Sequence, residues 1–151
     1  MKRENVFNAL FRPRSIVVVG GSESLSKPGG KVLRNIVDHG YRGNLWVVNP
    51  NATTVAGLPA FPSVADIPAP PELAIVAIPA SQVATALEDL ARKGCRGVVI
   101  LTSGFGEKDE KGREAEARLL AIAEKAGMTI IGPNCSGFMT PHYSGKFAGI
   151  I

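Results

Sequence analysis

Five short runs of mainly apolar residues recur along the chain, and they constrain its fold more than any other feature. They lie at residues 15–20, 44–48, 73–78, 97–101 and 129–132. Their hydrophobicity does not alternate, which is typical of strands that are buried on both faces. A parallel sheet covered by helices buries its strands in this way, so the runs predict such a sheet.

The segments between these runs predict the helices. Helical periodicity extends over residues 30–39, 82–93 and 110–126, and a glycine follows each segment, as expected just past a helix C-terminus. Ser81 is the candidate N-cap of the second helix. The stretch 56–72 is too rich in proline for a long helix, and it predicts a short strand near Leu58 and one helical turn at 63–66. We therefore expect one α/β domain over residues 1–151, Rossmann-like and doubly wound, with a mainly parallel sheet of about five strands and flanking helices.

The composition excludes several classes of protein. With 45% hydrophobic and 20% charged residues, the chain is not disordered. It contains no run near the roughly 20 apolar residues that cross a bilayer, and its N-terminus has no signal-peptide segment, so we expect a cytoplasmic protein with no membrane partner. The net charge is +4, but the basic residues are scattered along the chain and form no basic run, which predicts no nucleic-acid partner. Two cysteines without CxxC spacing argue against a metal site and against a disulfide framework.

Small or polar residues follow each apolar run. They are Gly20-Gly21-Ser22, Asn49-Pro50-Asn51, Pro79-Ala80-Ser81, Thr102-Ser103-Gly104 and Gly132-Pro133-Asn134-Cys135. The carboxyl ends of parallel strands meet at one edge of an open sheet, and ligands bind outside that edge where the strand order reverses. These five strand ends therefore predict a binding crevice.

The first strand end predicts a phosphate site. Gly20 and Gly21 end an apolar run, and a helical pattern resumes ten residues later. A glycine-rich turn from a strand into a helix presents backbone N–H groups and the positive end of the helix dipole to an anion.

Two well-known glycine motifs do not match this turn. In a Walker A comparison, Leu25 stands at the first glycine and Val32 at the hydroxyl residue. The dinucleotide motif GxGxxG requires closely spaced glycines and an acid about 20 residues further on. Here no glycine follows Gly21 until Gly29, and the second apolar run leads into Asn49. A nicotinamide or flavin dinucleotide is disfavoured but stays an alternative.

Six motifs in order span nearly the whole chain. They are LFRPRSIVVVGGS (10–22), GNLWVVNPN (43–51), GLPAFPSVADIP (57–68), ELAIVAIPA (72–80), GVVILTSGFGE (97–107) and IIGPNCSGFMTP (130–141). The ordered set resembles the CoA-binding domain of the nucleoside-diphosphate-forming acyl-CoA synthetases. That superfamily includes ADP-forming acetate–CoA ligase and the succinyl-CoA synthetase alpha subunit. The GPNC segment is the most specific of the matches.

The resemblance implies that residues at the strand ends contact CoA or acyl-CoA. These are Gly20, Gly21, Ser22, Lys27 and Lys31 at the phosphates, Val48, Asn49 and Pro50 at the nucleotide, Ile78, Pro79 and Ala80 along the CoA path, Leu101, Thr102 and Ser103 at the pantetheine arm, and Asn134 and Cys135 near the thiol. The family often has lysine where this chain has Asn51. CoA itself requires N–H donors for its diphosphate, an apolar slot for adenine and a narrow groove for the arm.

The resemblance also implies that this chain has no catalytic residue. In the family, phosphate passes through a phosphorylated histidine on a different domain, and neither His39 nor His142 matches that segment. His39 precedes Gly40 at a helix end, which predicts a surface or capping role. No base lies within sequence reach of Cys135, which favours packing over nucleophilic attack.

The sequence therefore predicts the CoA-binding domain of an ADP-forming acyl-CoA synthetase of the acetate–CoA ligase type, an acid–thiol ligase. The chain alone would bind CoA and catalyse nothing. Its partners would be further domains or a subunit carrying the phosphohistidine and ATP-grasp parts, and the way the chain ends predicts a longer parent. Two alternatives stay open. One is a CoA-binding module, either a freestanding regulatory protein or a domain of a lysine acetyltransferase. The other is an NAD(P)-dependent oxidoreductase domain.

Overall fold

A mostly parallel sheet with helices on both faces forms the centre of the molecule. The computed structural model describes residues 3–140 and 147–150, with side chains described for residues 7–140. In chain order the elements are α1 (Arg3–Phe11), β1 (Ser15–Val19), α2 (Pro28–Asp38), β2 (Asn44–Val48), β3 (Thr54–Val55), β4 (Leu58–Phe61), a 3-10 helix (Val64–Asp66), β5 (Leu73–Val76), α3 (Ala80–Lys93), β6 (Gly97–Ile100), α4 (Glu110–Ala126), β7 (Thr129–Ile131), β8 (Gly137–Thr140) and β9 (Phe147–Ile150).

The strand order identifies the position at which a ligand is expected. The sheet runs β3-β4-β2-β1-β5-β6-β7, and a separate antiparallel pair consists of β8 and β9. β1 pairs in parallel with β2 on one side and with β5 on the other. From β1 the chain passes through α2 to β2, whereas from β5 it passes through α3 to β6 on the opposite side. The order therefore reverses between β1 and β5, which is the switch point of a doubly wound sheet.

Two hydrophobic cores lie on the two faces of the sheet. Val17 and Val19 of β1 pack with the core that contains α3 and α4, whereas Ile16 and Val18 pack with the core that contains α2. Each residue of β1, β5 and β6 is buried. The non-alternating apolar runs are therefore strands buried on both faces, and the predicted α/β fold is confirmed.

Several details differ from the sequence prediction. The sheet has seven strands among the described residues, not about five. One addition is β4, anticipated as a short strand near Leu58. The other is β3, a two-residue strand that pairs antiparallel with β4. A two-residue strand is too short to show a period, and its pairing depends on a turn in which Ala56 and Gly57 have φ of 51° and 75°.

The helix starts also differ from the prediction. α2 begins at Pro28, because proline fits the first helical position. α3 begins at Ala80 after an N-cap at Pro79, so the assignment of Ser81 as the N-cap was wrong. α1 and the β8–β9 pair were not predicted, whereas α4 has the predicted bounds. No helix in the described part of the chain is long and apolar enough to cross a membrane.

Candidate functional site

A cleft of about 950 Å³ opens at the carboxyl edge of the sheet, at the switch point between β1 and β5. Most of the predicted site residues line it. They are Gly20, Gly21, Ser22, Lys27, Val48, Asn49, Pro50, Ile78, Pro79, Leu101, Thr102 and Ser103. Four separate strand ends therefore contribute to one concave surface, as the parallel arrangement required.

Glycines in the loop after β1 allow the backbone to pack closely. Gly20 has φ of +90°, and a Cβ there would clash with the carbonyl oxygen of Ala77 and lie 2.8 Å from Cγ2 of Ile78. A Cβ on Gly29 would clash with the carbonyl oxygen of Gly20. The start of α2 thus lies directly against the end of β1, a contact that any larger residue would prevent.

The N-terminus of α2 makes one wall of the cleft electropositive. Lys27 is its N-cap residue, with extended backbone, and no described side chain caps the first turn. Lys27 and Pro28 both line the cleft, and the first turn of α2 has no acidic residue. The positive end of the helix dipole and the lysine ammonium therefore lie on the same side of the cleft, an arrangement that favours an anion.

Asn49 connects two walls of the cleft. Its Nδ2 donates to the carbonyl oxygen of Gly21 at 2.9 Å, and its Oδ1 accepts from the backbone N–H of Asn51 at 2.8 Å. The backbone N–H of Gly20 also donates to the carbonyl oxygen of Val48. Asn49, which was predicted as a contact for the nucleotide, thus holds the glycine loop against the turn after β2.

Thr102 connects the ends of the central strands on the other side of the cleft. Its hydroxyl donates to the carbonyl oxygen of Ile78 at 2.7 Å, and its own carbonyl accepts from the backbone N–H of Asn134. In the loop that follows, the carboxylate of Glu107 accepts hydrogen bonds from the backbone N–H groups of Gly104 and Phe105. These hydrogen bonds lower the pKa of Glu107, and the bond from Gly104 has the largest effect.

Four predicted site residues do not line the cleft: Lys31, Ala80, Asn134 and Cys135. Lys31 is exposed one turn into α2, and Ala80 packs against the core beneath α3. Asn134 and Cys135 follow β7, which lies at the sheet edge, three strands from β1. The Cys135 thiol lies 3.3 Å from the carbonyl oxygen of Ile100, and the side chain packs against the core that contains α2. Residues that follow parallel strands all lie at the same edge of the sheet, but they do not all line the same crevice. The crevice forms at the switch point, and β7 lies too far from it.

The two histidines have different outcomes. His39 is the C-cap of α2, and its Nδ1 lies 2.8 Å from the carbonyl oxygen of Asn35, so the predicted capping role is confirmed. His142 lies outside the described residues.

The sequence reasoning missed one side of the cleft. Pro62, Ser63 and Val64 follow β4, and a stripe of α3 faces them, formed by Gln82, Thr85, Ala86 and Asp89. The spacing of 82, 85, 86 and 89 is that of one helix face, and the segment after β4 follows a strand parallel to β2. The helix face was visible in the sequence, whereas the pairing of β4 with β2 was not. The helix face by itself does not indicate a ligand until the sheet brings the two segments together.

A doubly wound parallel sheet with a glycine loop and a cleft at its switch point defines a nucleotide-binding domain of the Rossmann-like class. A family model described as a CoA binding domain matches residues 14–141. The chain belongs to this family of CoA-binding domains.

Several proteins similar to this chain are considerably longer. The chain is 43% identical over 130 residues to acetate–CoA ligase [ADP-forming] II of Archaeoglobus fulgidus, covering 86% of this chain and 19% of that protein. It is 42% identical to the alpha subunit of acetate–CoA ligase [ADP-forming] II of Pyrococcus furiosus, covering 87% of this chain and 29% of that subunit. Among solved structures it is similar to the dinucleotide-forming acetyl-coenzyme A synthetase 1 of Ca. Korarchaeum cryptofilum in complex with phosphate and ADP. That similarity has a TM-score of 0.86 at 33% identity and covers 97% of this chain and 32% of the other. The chain therefore spans less than a third of the length of each of these relatives.

Proposed function

We propose that the cleft binds CoA or acyl-CoA, with the diphosphate of the ligand at the glycine loop. The observation that carries this proposal is the convergence of the Gly20–Gly21 turn, the N-terminus of α2 and Lys27 on one cleft at the switch point. A diphosphate would find backbone donors, a helix dipole and a lysine ammonium there. Membership of the CoA-binding family supports CoA, which would act as the substrate and acyl carrier.

The pantetheine arm would extend toward the ends of β5 and β6. Leu101 and Thr102 line that side of the cleft, and the hydrogen bond from Thr102 to Ile78 keeps the two strand ends together. The apolar atoms of Leu101 and Ile78, beside the polar Thr102 and Ser103, suit an arm that is partly apolar and partly amide.

We further propose that the parent protein is an ADP-forming acyl-CoA synthetase of the acetate–CoA ligase type. It would convert acyl-CoA, ADP and phosphate to a carboxylate, CoA and ATP. Two observations support this proposal: the two relatives described above are ADP-forming acetate–CoA ligases, and this chain spans only part of their length. The phosphohistidine and nucleotide chemistry would then belong to further domains or to a partner subunit in the cytoplasm, and this chain would bind CoA without catalysing a step.

The observations do not favour an oxidoreductase. In a dinucleotide-binding domain an acid near the end of the second strand binds the ribose hydroxyls. Here Asn49 occupies that region, and its amide is already bonded to Gly21 and Asn51. The relatives likewise give no support to a freestanding regulatory module or to a lysine acetyltransferase domain.

Isothermal titration of this chain with CoA and with NAD tests the proposal. We expect CoA to bind more tightly than NAD. K27Q should weaken CoA binding about fivefold or more, because it removes a charge-assisted phosphate contact. The matched control is K31Q, which removes the same charge one turn further along α2, outside the cleft, and should change affinity less than about twofold. Tighter binding of NAD, or no CoA binding at millimolar concentration, would refute the proposal.

For the parent protein, the test is ATP formation from acyl-CoA, ADP and phosphate by the natural full-length chain or complex. Production of carboxylate, CoA and ATP in equal amounts is expected. CoA binding without this reaction would favour the regulatory module instead.

A further inference from the structure

The loop that follows β6 forms one side of the cleft and is anchored in the core behind it. Thr102 and Ser103 line the cleft, whereas Phe105 is 1% exposed and packs in the core that contains α3 and α4. Ser103 and Gly104 therefore link a strand end at the cleft to a ring that is fixed in the core.

Carboxylates of the same chain hold the backbone of this loop. Glu107 accepts a hydrogen bond from the backbone N–H of Gly104 and, at 3.1 Å, another from that of Phe105. Glu116 of α4 accepts from the backbone N–H of Gly106 at 3.1 Å. Neither carboxylate lines the cleft. Three successive backbone N–H groups are thus held by side chains that lie outside the cleft.

The bond between Gly104 and Glu107 also orients a group of Ser103. The N–H of Gly104 and the carbonyl of Ser103 belong to one trans peptide unit, in which they point in opposite directions. Holding the N–H therefore sets the direction of the Ser103 carbonyl. The bonds to Glu107 lower its pKa, so the carboxylate is charged at neutral pH, and a charged acceptor forms roughly twice as strong a hydrogen bond as a neutral one.

We propose that Glu107 is a positioning residue, which holds Ser103 and Gly104 in the conformation that receives the pantetheine arm of CoA and does not itself touch the ligand. The inference rests on the proposed function, since it presupposes that CoA binds with its arm on the β6 side of the cleft. A loop that is ordered in advance spares the ligand the cost of ordering it. Where only a fraction of the molecules hold the loop in this conformation, the apparent affinity falls by the same fraction.

Isothermal titration of Glu107 variants with two ligands tests this inference. The first ligand is CoA. The second is 3′-phosphoadenosine 5′-diphosphate, which has the nucleotide part of CoA without the pantetheine arm, and its affinity is measured by competition with CoA. E107Q replaces a charged acceptor by a neutral one, and E107A removes the acceptor. We expect the affinity for CoA to fall about threefold in E107Q and about tenfold in E107A, whereas that for the second ligand should change less than about twofold.

The second ligand also separates positioning from effects of folding and of charge. A variant that had lost its fold would bind neither ligand. Loss of a negative charge would by itself favour both anionic ligands, which is the opposite sign from the expected effect on CoA. E110Q is the matched control, because Glu110 is exposed at the start of α4 and pairs with Arg113 at 2.9 Å. It removes the same charge and should leave the ratio of the two affinities unchanged.

Four results would count against the inference or its basis. Equal weakening of both ligands in E107A would overturn it, because Glu107 would then support the domain as a whole. An unchanged affinity of E107A for CoA would overturn it as well. Equal affinities of the wild type for the two ligands would refute the placement of the arm on the β6 side, and the inference with it. Failure of the wild type to bind CoA at millimolar concentration would instead refute the proposed function.

Discussion

Replacing Gly20 with alanine tests why the loop after β1 is built from glycine. At φ of +90° an L-residue is strained by about 1–2 kcal/mol. The added Cβ would also clash with the Ala77 carbonyl oxygen and lie 2.8 Å from Cγ2 of Ile78, both on the neighbouring chain segment. Overpacking of this kind costs about 1–3 kcal/mol. We therefore expect G20A to lower the free energy of unfolding by about 2–5 kcal/mol.

The measurement is urea unfolding followed by far-ultraviolet circular dichroism, with thermal unfolding as a second readout. At this chain length each kcal/mol shifts the Tm by roughly 2–4 °C, so G20A should lower it by about 4–20 °C. The m-value, which is the slope of the unfolding free energy against urea concentration, should be unchanged, since unfolding exposes nearly the same surface in G20A as in the wild type.

Gly57 provides the matched control for backbone strain. It has φ of +75°, and a Cβ there would meet no described atom within 4 Å. G57A should therefore show the strain of about 1–2 kcal/mol without the overpacking. Equal destabilisation by G20A and G57A would contradict the packing argument. A G20A variant of wild-type stability that no longer binds CoA would show that glycine serves only the approach of phosphate.

Three further results are expected. N49A should lower the free energy of unfolding by about 1–3 kcal/mol and weaken CoA binding, because it removes both hydrogen bonds of the Asn49 amide. N51A is the control, and it should leave the free energy of unfolding nearly unchanged, because the backbone N–H of residue 51 still donates to Asn49. A thiol reagent should modify Cys135 in the native protein and Cys95 only on unfolding. The reason is that burial raises the pKa of Cys95 to about 12 and keeps that thiol protonated. Rapid labelling of the native C135A variant would contradict this expectation. Hydrogen bonds in the folded loop lower the pKa of Glu107 from its usual 4.5, so its stabilising effect is present above that pH and is lost as the pH falls below it. Unfolding of E107Q between pH 5 and pH 3 should therefore depend less on pH than that of the wild type, and an identical pH dependence would count against the role of this carboxylate.

Agreement between sequence and structure is best where the signal is local. β1, β5 and β6 follow from continuous apolar runs, and α4 follows from a long periodic segment that ends at Gly127. Disagreement arises where an element depends on distant partners. β3 forms because β4 lies beside it, and α1 packs beneath β6 through Leu10, whose contact with Gly97 no local pattern reveals.

The candidate site divides in the same way. Small and polar strand ends are visible in the sequence, and those of β1, β2, β5 and β6 do line the cleft. The strand end at Cys135 has the same small and polar residues but follows the edge strand β7. Residue type alone does not indicate how far a strand end lies from the switch point.

By itself, the sequence determined the class of fold, the glycine-rich turn after β1 and the resemblance to CoA-binding domains, because short-range periodicity and turn chemistry are properties of neighbouring residues. Tertiary structure alone decided which strand ends share a cleft and brought the stripe of α3 at Gln82, Thr85 and Asp89 opposite the segment after β4. It also assigned Asn49 a role in holding the loop. These outcomes depend on strand order, and strand order arises from contacts between residues far apart in the chain, which no local pattern encodes.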